Sequence, residues 1–200
     1  MLYIDHIINS MFNSITYILY VNDTECWLVD CGDVEQILKK EWIVKGVLLT
    51  HSHFDHIYGL EKLLAAFPNV MLYTNVMGLA GLENPKLNMS RFYDDIEDVS
   101  IVQKDNIVIV NEGESVRLFD GINAEVIETP GHDQSCLSFI VGNYLFTGDS
   151  YIPGIKVVTN FPKSNDSDAI CSLNRLKEFE QKGLVVCPGH DIVGIRNLQK

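Results

Sequence analysis

A chain of 200 residues, 46% of them hydrophobic, is long enough to bury its own core, and we expect residues 1–200 to form a single domain. The formal net charge of -12 disfavours a nucleic-acid partner, because phosphate backbones are bound by Lys and Arg. No apolar run reaches the roughly 18 residues that a membrane-spanning helix requires, so no membrane partner is expected.

The cysteines are five in number and include no C-x-x-C pair. This pattern argues against both a disulfide framework and a cysteine-built zinc site. The N-terminal residues carry no basic leader and include an acid at Asp5, which is untypical of a signal peptide. We therefore expect a cytoplasmic protein; its oligomeric state stays open.

Strand and helix patterns alternate through the first half of the chain. Predicted strands cover 14–21, 26–30, 43–50 and 70–73, and helices are predicted at 34–41, 59–67 and 75–81. Periodicity then fails from 83 to about 105, a segment in which Arg91, Phe92 and Tyr93 either border a cleft or pack among themselves.

The second half repeats the layout as strands followed by a helix. Strands are predicted at 107–110, 115–119, 124–128, 135–141, 144–146 and 184–187, and a helix capped by Asp166 or Ser167 runs to Gly183. Two similar halves of this kind predict an α+β fold in which two sheets pack face to face.

A segment rich in potential metal ligands follows the apolar run 47–50: His51-Ser52-His53-Phe54-Asp55-His56. Neutral imidazole and carboxylate groups are the ligands that zinc and similar divalent cations prefer. Residues that alternate along a strand point to one side, so His51 and His53 can share a face, and a turn can direct Asp55 and His56 to a second point.

Three further polar residues each follow a predicted strand and a glycine. They are His132 in Thr-Pro-Gly-His, Asp149 in Thr-Gly-Asp and His190 in Pro-Gly-His. Glycine turns at strand ends allow segments that are distant in sequence to converge on one rim, so these residues are predicted to join the histidine-rich segment.

In the order and context of these motifs, from Asp30-Cys31-Gly32 onward, the chain resembles the metallo-β-lactamase superfamily. The resemblance implies a four-layer αββα sandwich with the site along one edge of two mixed sheets. It also implies that His51, His53 and His132 bind one metal ion, that Asp55, His56 and His190 bind another, and that Asp149 bridges them. Asp30 would stand beside the cluster and hold a ligand imidazole or the loop, although a turn acid satisfied by local backbone N–H groups is an equal alternative.

Two divalent metal ions at such a site activate water as hydroxide and stabilise the oxyanion formed on attack. Zinc is the first expectation, and iron or manganese also accept these ligands. Asp55 would orient the nucleophile and pass its proton to the leaving group. Because Asp149 stands where the true lactamases carry a cysteine ligand, β-lactam hydrolysis is not expected.

The resemblance is best to the glyoxalase-II-like (hydroxyacylglutathione hydrolase-like) subgroup, which implies hydrolysis of a small thioester as the small-molecule substrate. A lactonase, a phosphodiesterase, a sulfur dioxygenase and a non-catalytic metal-binding module remain alternatives. The resemblance also implies that Lys156 binds a substrate carboxylate, as a basic residue does in glyoxalase-II-like members. Lys163 is a second candidate for this role. The alternative is that Lys156 is an ordinary solvated surface residue.

Overall fold

The computed structural model describes residues 1–40, 42–101 and 105–191. It forms two β-sheets, with helices on the outer face of the first and a helix on the outer face of the second. The first half contributes β1 (Tyr3–Ile8), β2 (Ile15–Tyr20), β3 (Glu25–Val29), α1 (Glu35–Leu38), β4 (Ile43–Leu48), α2 (Phe54–Ile57), α3 (Leu60–Ala66), β5 (Met71–Thr74) and α4 (Val76–Glu83). A single 3-10 turn (Ser90–Phe92) and β6 (Ile107–Ile109) follow, and then β7 (Ser115–Phe119), β8 (Ile122–Glu128), β9 (Leu137–Val141), β10 (Tyr144–Gly148), α5 (Asp166–Gln181) and β11 (Val185–Pro188).

Both sheets are mixed. The first has the order β1-β2-β3-β4-β5-β6, with antiparallel pairs from β1 to β3 and parallel pairs from β3 to β6. The second has the order β11-β10-β9-β8-β7, in which only β10 and β11 are parallel. The carboxyl ends of parallel neighbours lie at the same edge of a sheet, which prepares that edge to carry a site.

The four layers follow from the alternation of side chains along each strand. In β3, Trp27 and Val29 join the apolar core between the sheets, whereas Cys26 and Leu28 face the core under α1 and α3. In the second sheet, Phe139 faces the inter-sheet core, and Leu145 packs with Leu176 of α5 on the outer face. The predicted αββα sandwich is therefore confirmed.

Most predicted elements are present, with boundaries that differ by one to a few residues. Four elements differ from the prediction, and one of them is the one-turn helix α2, which was not predicted. Strand β1 was also not predicted. Helix α1 covers only Glu35–Leu38 of the predicted 34–41, and position 41 lies outside the described residues. Helix α5 is capped by Asn165, not by Asp166 or Ser167, and the Asn165 side chain accepts hydrogen bonds from the N–H groups of Ser167 and Asp168. The segment predicted to be irregular, 83–105, begins at the last residue of α4, and its other described residues form only the 3-10 turn. No helix in 1–40, 42–101 or 105–191 has the length and apolar character to cross a bilayer.

Candidate metal centre

Five loops converge at one rim of the sandwich, each at the carboxyl end of a strand. Asp30 follows β3, and the segment 51–56 follows β4. His132, Asp149 and His190 follow β8, β10 and β11. The structure therefore brings together all the residues that the sequence assigned to a metal site, and it does so because parallel strands end at a shared edge.

Backbone hydrogen bonds tie the two sheets together at this rim. Leu137 N donates to Thr50 O at 2.6 Å, and Ile15 N donates to Gly189 O at 2.7 Å. Gly189 is packed so tightly that a Cβ atom there would overlap the Asp149 carboxylate. The absence of a side chain at this position allows His190 to enter the site.

The histidine-rich segment divides at the start of α2. His51 and His53 precede the helix, with His53 in extended backbone at ψ 142°, and Asp55 and His56 lie within the single turn of α2. The change of direction separates the two pairs, as the spacing predicts.

Three overlapping groups of potential ligands result, and in each the three ligand atoms lie within 4.8 Å of one another. Two of these groups are the sets expected from the sequence, and the third links them through Asp149. The groups are His51 with His53 and His132, Asp55 with His56 and His190, and His51 with His56 and Asp149.

Asp149 stands between the two histidine sets. Its Oδ2 lies 3.2 Å from His190 Nε2 and 3.5 Å from His132 Nε2, and its Oδ1 lies 3.5 Å from His56 Nε2. One carboxylate therefore contacts imidazoles of both sets, which is the arrangement required of a bridging ligand.

Unpaired buried atoms test whether this donor set fits a metal. His51 Nε2 and Asp149 Oδ1 are buried and have no hydrogen-bond partner. Two imidazole nitrogens also face each other at 3.0 Å, His132 Nε2 and His53 Nδ1. Buried polar atoms without partners are costly, and imidazole and carboxylate groups are the ligands that divalent cations prefer, so the set fits such cations at its centre.

One carboxylate orients an imidazole in each histidine set. Asp30 Oδ2 lies 2.8 Å from His56 Nδ1 and accepts a hydrogen bond from Thr50 Oγ1 at 2.7 Å. Thr50 Oγ1 in turn lies 3.1 Å from His51 Nδ1. When Nδ1 alone carries the proton in both rings, as it must when the rings bind a cation through Nε2, each Nε2 has a free lone pair.

Backbone carbonyls orient two more imidazoles. His132 Nδ1 lies 2.8 Å from Val158 O, and His190 Nδ1 lies 2.9 Å from Phe12 O. Donation to a carbonyl requires the proton on Nδ1, so Nε2 of both rings is left to bind a cation.

Asp133 was not identified from the sequence. Its buried side chain lies next to His132, with Oδ2 3.9 Å from His53 Nε2, another buried atom without a hydrogen-bond partner. Asp133 Oδ1 accepts from Ser135 N at 2.7 Å and from Ser135 Oγ at 2.5 Å. The carboxylate is thus anchored on one side and faces His53 on the other.

Burial and charge set the protonation of the cluster. Burial lowers the pKa of His53 to about 3, and the nearby His132 acts in the same direction. Burial alone would raise the pKa of Asp149, but His190 and His56 outweigh it and hold that pKa well below its usual range. A neutral imidazole and an ionised carboxylate are the protonation states that bind a metal.

Asp55 differs from Asp149 in its electrostatic setting. Burial raises the pKa of Asp55, and its Oδ2 lies 3.4 Å from His190 Nε2 and 3.5 Å from His56 Nε2. The pKa of His56 is raised well above its usual value, because the carboxylates of Asp55, Asp30 and Asp149 outweigh the effect of its burial. Asp55 therefore contacts His56 and His190, and its carboxylate has a higher affinity for protons than an exposed Asp.

A cavity of about 180 Å³ opens over the cluster and reaches Asp55, Asp149 and three of the imidazoles. Tyr93 lines it, whereas Arg91 pairs with Asp98 and Phe92 is not part of the lining. Lys156 is exposed and lines a smaller adjoining cavity that it shares with His132 and Asp149. Lys163 belongs to neither lining.

Comparison with known proteins agrees with this geometry. Residues 11–190 match the sequence profile of the Metallo-beta-lactamase superfamily. The chain belongs to that superfamily. It is 27% identical over 185 residues to hydroxyacylglutathione hydrolase of Buchnera aphidicola subsp. Schizaphis graminum (strain Sg). The alignment covers 90% of this chain. It spans 63% of the length of that relative.

Solved structures of the superfamily share the fold. The B3 metallo-beta-lactamase BLEG-1 superposes with a TM-score of 0.80 at 23% identity, over 94% of this chain and 92% of that one. TTHA1623, solved in a di-iron-bound form, superposes with a TM-score of 0.74 at 25% identity, over 94% and 92% of the two chains. At such identities these superpositions establish the shared architecture.

Proposed function

We propose that this protein is a dinuclear metal-dependent hydrolase that cleaves a small thioester. The observation that carries the proposal is the joining of two histidine sets by Asp149, with unpaired buried atoms of His51 and Asp149 at the junction. The kinship with hydroxyacylglutathione hydrolase supports a thioester as the substrate class. Zinc is the proposed metal, with iron as the main competitor because a superfamily neighbour was solved with two irons.

In the proposed arrangement, each histidine set holds one cation. His51, His53 and His132 would hold the first, and Asp55, His56 and His190 the second, with Asp149 shared between them. When bound, two divalent cations lower the pKa of water and polarise a carbonyl oxygen. The folded chain supports this role by directing Nε2 of most of these rings inward before any cation arrives.

Asp55 is the proposed proton carrier. Its carboxylate lines the cavity, where a substrate carbonyl would enter, and burial raises its pKa. In thioester hydrolysis, water adds to the carbonyl carbon, the C–S bond breaks, and the leaving thiolate needs a proton. Asp55 would accept the proton of the attacking water and deliver it to that sulfur. The products are then a carboxylic acid and a thiol.

The proposed setting is the cytoplasm, with a small molecule as the only partner. All five cysteines are free thiols, and four of them are buried, which suits a reducing compartment. Burial raises the pKa of Cys187 to about 12, so this thiol stays protonated and is a packing residue, not a nucleophile.

A substrate panel measured on a metal-analysed sample tests the proposal. We expect elemental analysis to find two divalent metal ions per chain, and turnover of thioesters to exceed that of lactones, phosphodiesters and β-lactams. Oxygen uptake with a persulfide would assign the protein as a sulfur dioxygenase instead. Faster cleavage of lactones would favour the lactonase alternative, and no turnover of any substrate by a fully loaded sample would favour a metal-binding module.

A further inference from the structure

In the part of the chain that the structure describes, the cavity lining beyond the metal-site residues is almost entirely apolar. Phe54 is buried at its base, and Phe12 and Tyr93 stand above Phe54. The three rings contact one another, with centroid separations of 5.7 Å for Phe12 and Phe54, 5.6 Å for Phe12 and Tyr93, and 4.8 Å for Phe54 and Tyr93. We call these three residues the aromatic wall.

Large apolar groups of the wall remain open to solvent. Phe12 is 53% exposed and Tyr93 is 37% exposed, although both have other rings within packing distance. At the other histidine set, the ring of Phe161 lies 5.1 Å from His53 and 5.4 Å from His132, and the neighbouring Val158 is also exposed. Exposed apolar surface that is concentrated around a cavity is typical of a ligand site.

The backbone is strained at two residues of this lining. Phe12 has φ 52° and Met89 has φ 72°, both in the left-handed region that L side chains rarely adopt. Such a conformation is unfavourable for a residue with a side chain and is retained where the surrounding structure demands it. The carbonyl of Phe12 lies 2.9 Å from His190 Nδ1, and its ring lines the cavity. One residue therefore contacts both a proposed metal ligand and the aromatic wall.

The charges around the cavity argue for an uncharged ligand. Among residues 1–40, 42–101 and 105–191, the lining has no basic side chain apart from its imidazoles, and its acids are Asp55 and Asp149 of the metal site. Lys156 faces the adjoining cavity instead. A carboxylate or phosphate that reached the aromatic wall would lose hydration without gaining a partner there.

We infer that the aromatic wall selects substrates carrying an uncharged alkyl or aryl acyl group, which packs against Phe12, Phe54 and Tyr93 while the carbonyl reaches the metal centre. The choice of an acyl compound rests on the proposed hydrolase function. The inference adds the chemical class of the acyl group, and it assigns Phe12 and Tyr93 as the residues that determine specificity.

Thioesters of N-acetylcysteamine test the inference, because their leaving group is small, uncharged and constant. Across acetyl, butanoyl, pentanoyl and hexanoyl substrates, we expect kcat/KM to rise about fourfold for each methylene until the wall is covered. Succinyl should react at least about tenfold more slowly than pentanoyl, which has a similar length. Equal rates along the alkyl series, or a succinyl rate that matches pentanoyl, would overturn the inference.

Variants of the wall locate the selectivity. Phe12→Ala and Tyr93→Ala should lower the logarithmic slope of kcat/KM against chain length by about half, and Phe12→Leu and Tyr93→Phe should restore most of it. Tyr3→Ala is the matched control, because Tyr3 is also an exposed aromatic residue but lies on β1, outside the cavity lining. A slope that falls equally in the control, or that survives in both wall variants, would contradict the assignment.

Direct binding separates this inference from the proposed function. We expect saturation-transfer NMR to detect hexanamide, but not succinamate, on the zinc-loaded protein, with loss of the signal in Phe12→Ala. If hexanamide binds in this way but no thioester is cleaved, the proposed function is wrong and the specificity stands. If thioesters are cleaved but hexanamide does not bind, the specificity is wrong and the function stands.

Discussion

The Oδ2 atom of Asp30 lies 2.8 Å from Nδ1 of His56, and both side chains are buried. The same carboxylate accepts hydrogen bonds from the backbone and the hydroxyl of Thr50, which contacts His51. Asp30 adopts φ 59°, a conformation that Asp and Asn tolerate better than most residues. One carboxylate therefore orients an imidazole of each proposed metal set.

Replacement of Asp30 by Asn tests this role with little change of shape. Asn keeps the left-handed backbone but loses the negative charge that holds the Nδ1 proton of His56. We expect metal affinity to fall about 10–100-fold, measured by competition with a chromogenic chelator. Asp33→Asn is the matched control, because Asp33 bonds to Ser10 and Tyr58 and contacts none of the proposed ligands. Unchanged affinity in Asp30→Asn would show that Asp30 serves only the turn.

Asp133 is predicted to perform the corresponding task for His53. Asp133→Asn removes the charge that faces His53 Nε2 but retains an oxygen for Ser135. We expect weaker binding of one metal ion, by roughly tenfold, and normal binding of the other, measured by titration into the metal-free protein. Asp120→Asn, at a fully exposed turn, provides the control. Equal weakening of both sites would indicate general disruption of the rim.

Asp55→Ala should separate catalysis from folding. The variant loses the proposed proton carrier and one ligand of the second set, but the trio of His51, His53 and His132 is intact. We expect a loss of at least about 100-fold in kcat, near-native circular dichroism, and one retained metal ion per chain by elemental analysis. Turnover near that of the wild type would contradict the proposed mechanism.

Asp33 offers a test of acid stability away from the metal centre. Its carboxylate is partly desolvated, which alone would raise its pKa, but hydrogen bonds from Tyr58 and Ser10 outweigh burial and lower that pKa. A lowered pKa in the folded state means that the stabilisation is complete above the pKa of the unfolded chain and is lost as the pH falls through the folded value.

We therefore expect Asp33→Asn to be less stable than the wild type at pH 7, by at most about 1 kcal/mol because solvent screens this partly exposed carboxylate, with the difference shrinking below about pH 4. Urea unfolding of both metal-free proteins between pH 3 and 7 measures it. A difference that stays constant over this range would show that the charge of Asp33 does not contribute.

Much of the fold was predictable from the sequence because several central strands, such as β2, β3 and β9, are buried on both faces. β3 contains the buried run 26–29, and β4 ends in the buried run 46–48. Strand β1 escaped prediction because it lies at a sheet edge and only Ile7 of its six residues is fully buried. An edge strand of this kind has no apolar periodicity to reveal it.

The seven proposed ligands were recognisable because their chemistry is in their side chains. The groups that orient them were harder to find. Phe12 and Val158 act through backbone carbonyls, which no residue type marks, and Asp133 reads in the sequence as an ordinary loop acid. Likewise, nothing in the sequence indicates that Phe12 adopts a left-handed backbone, so the aromatic wall becomes visible only in three dimensions.

The most direct test of the central proposal is anomalous X-ray diffraction at the metal absorption edge, measured on crystals of the zinc-loaded protein. We predict two anomalous peaks, one among His51, His53 and His132 and the other among Asp55, His56 and His190, with the Asp149 carboxylate between them. A single peak elsewhere on the surface, or no peak at this rim in a sample shown to contain zinc, would contradict the assignment.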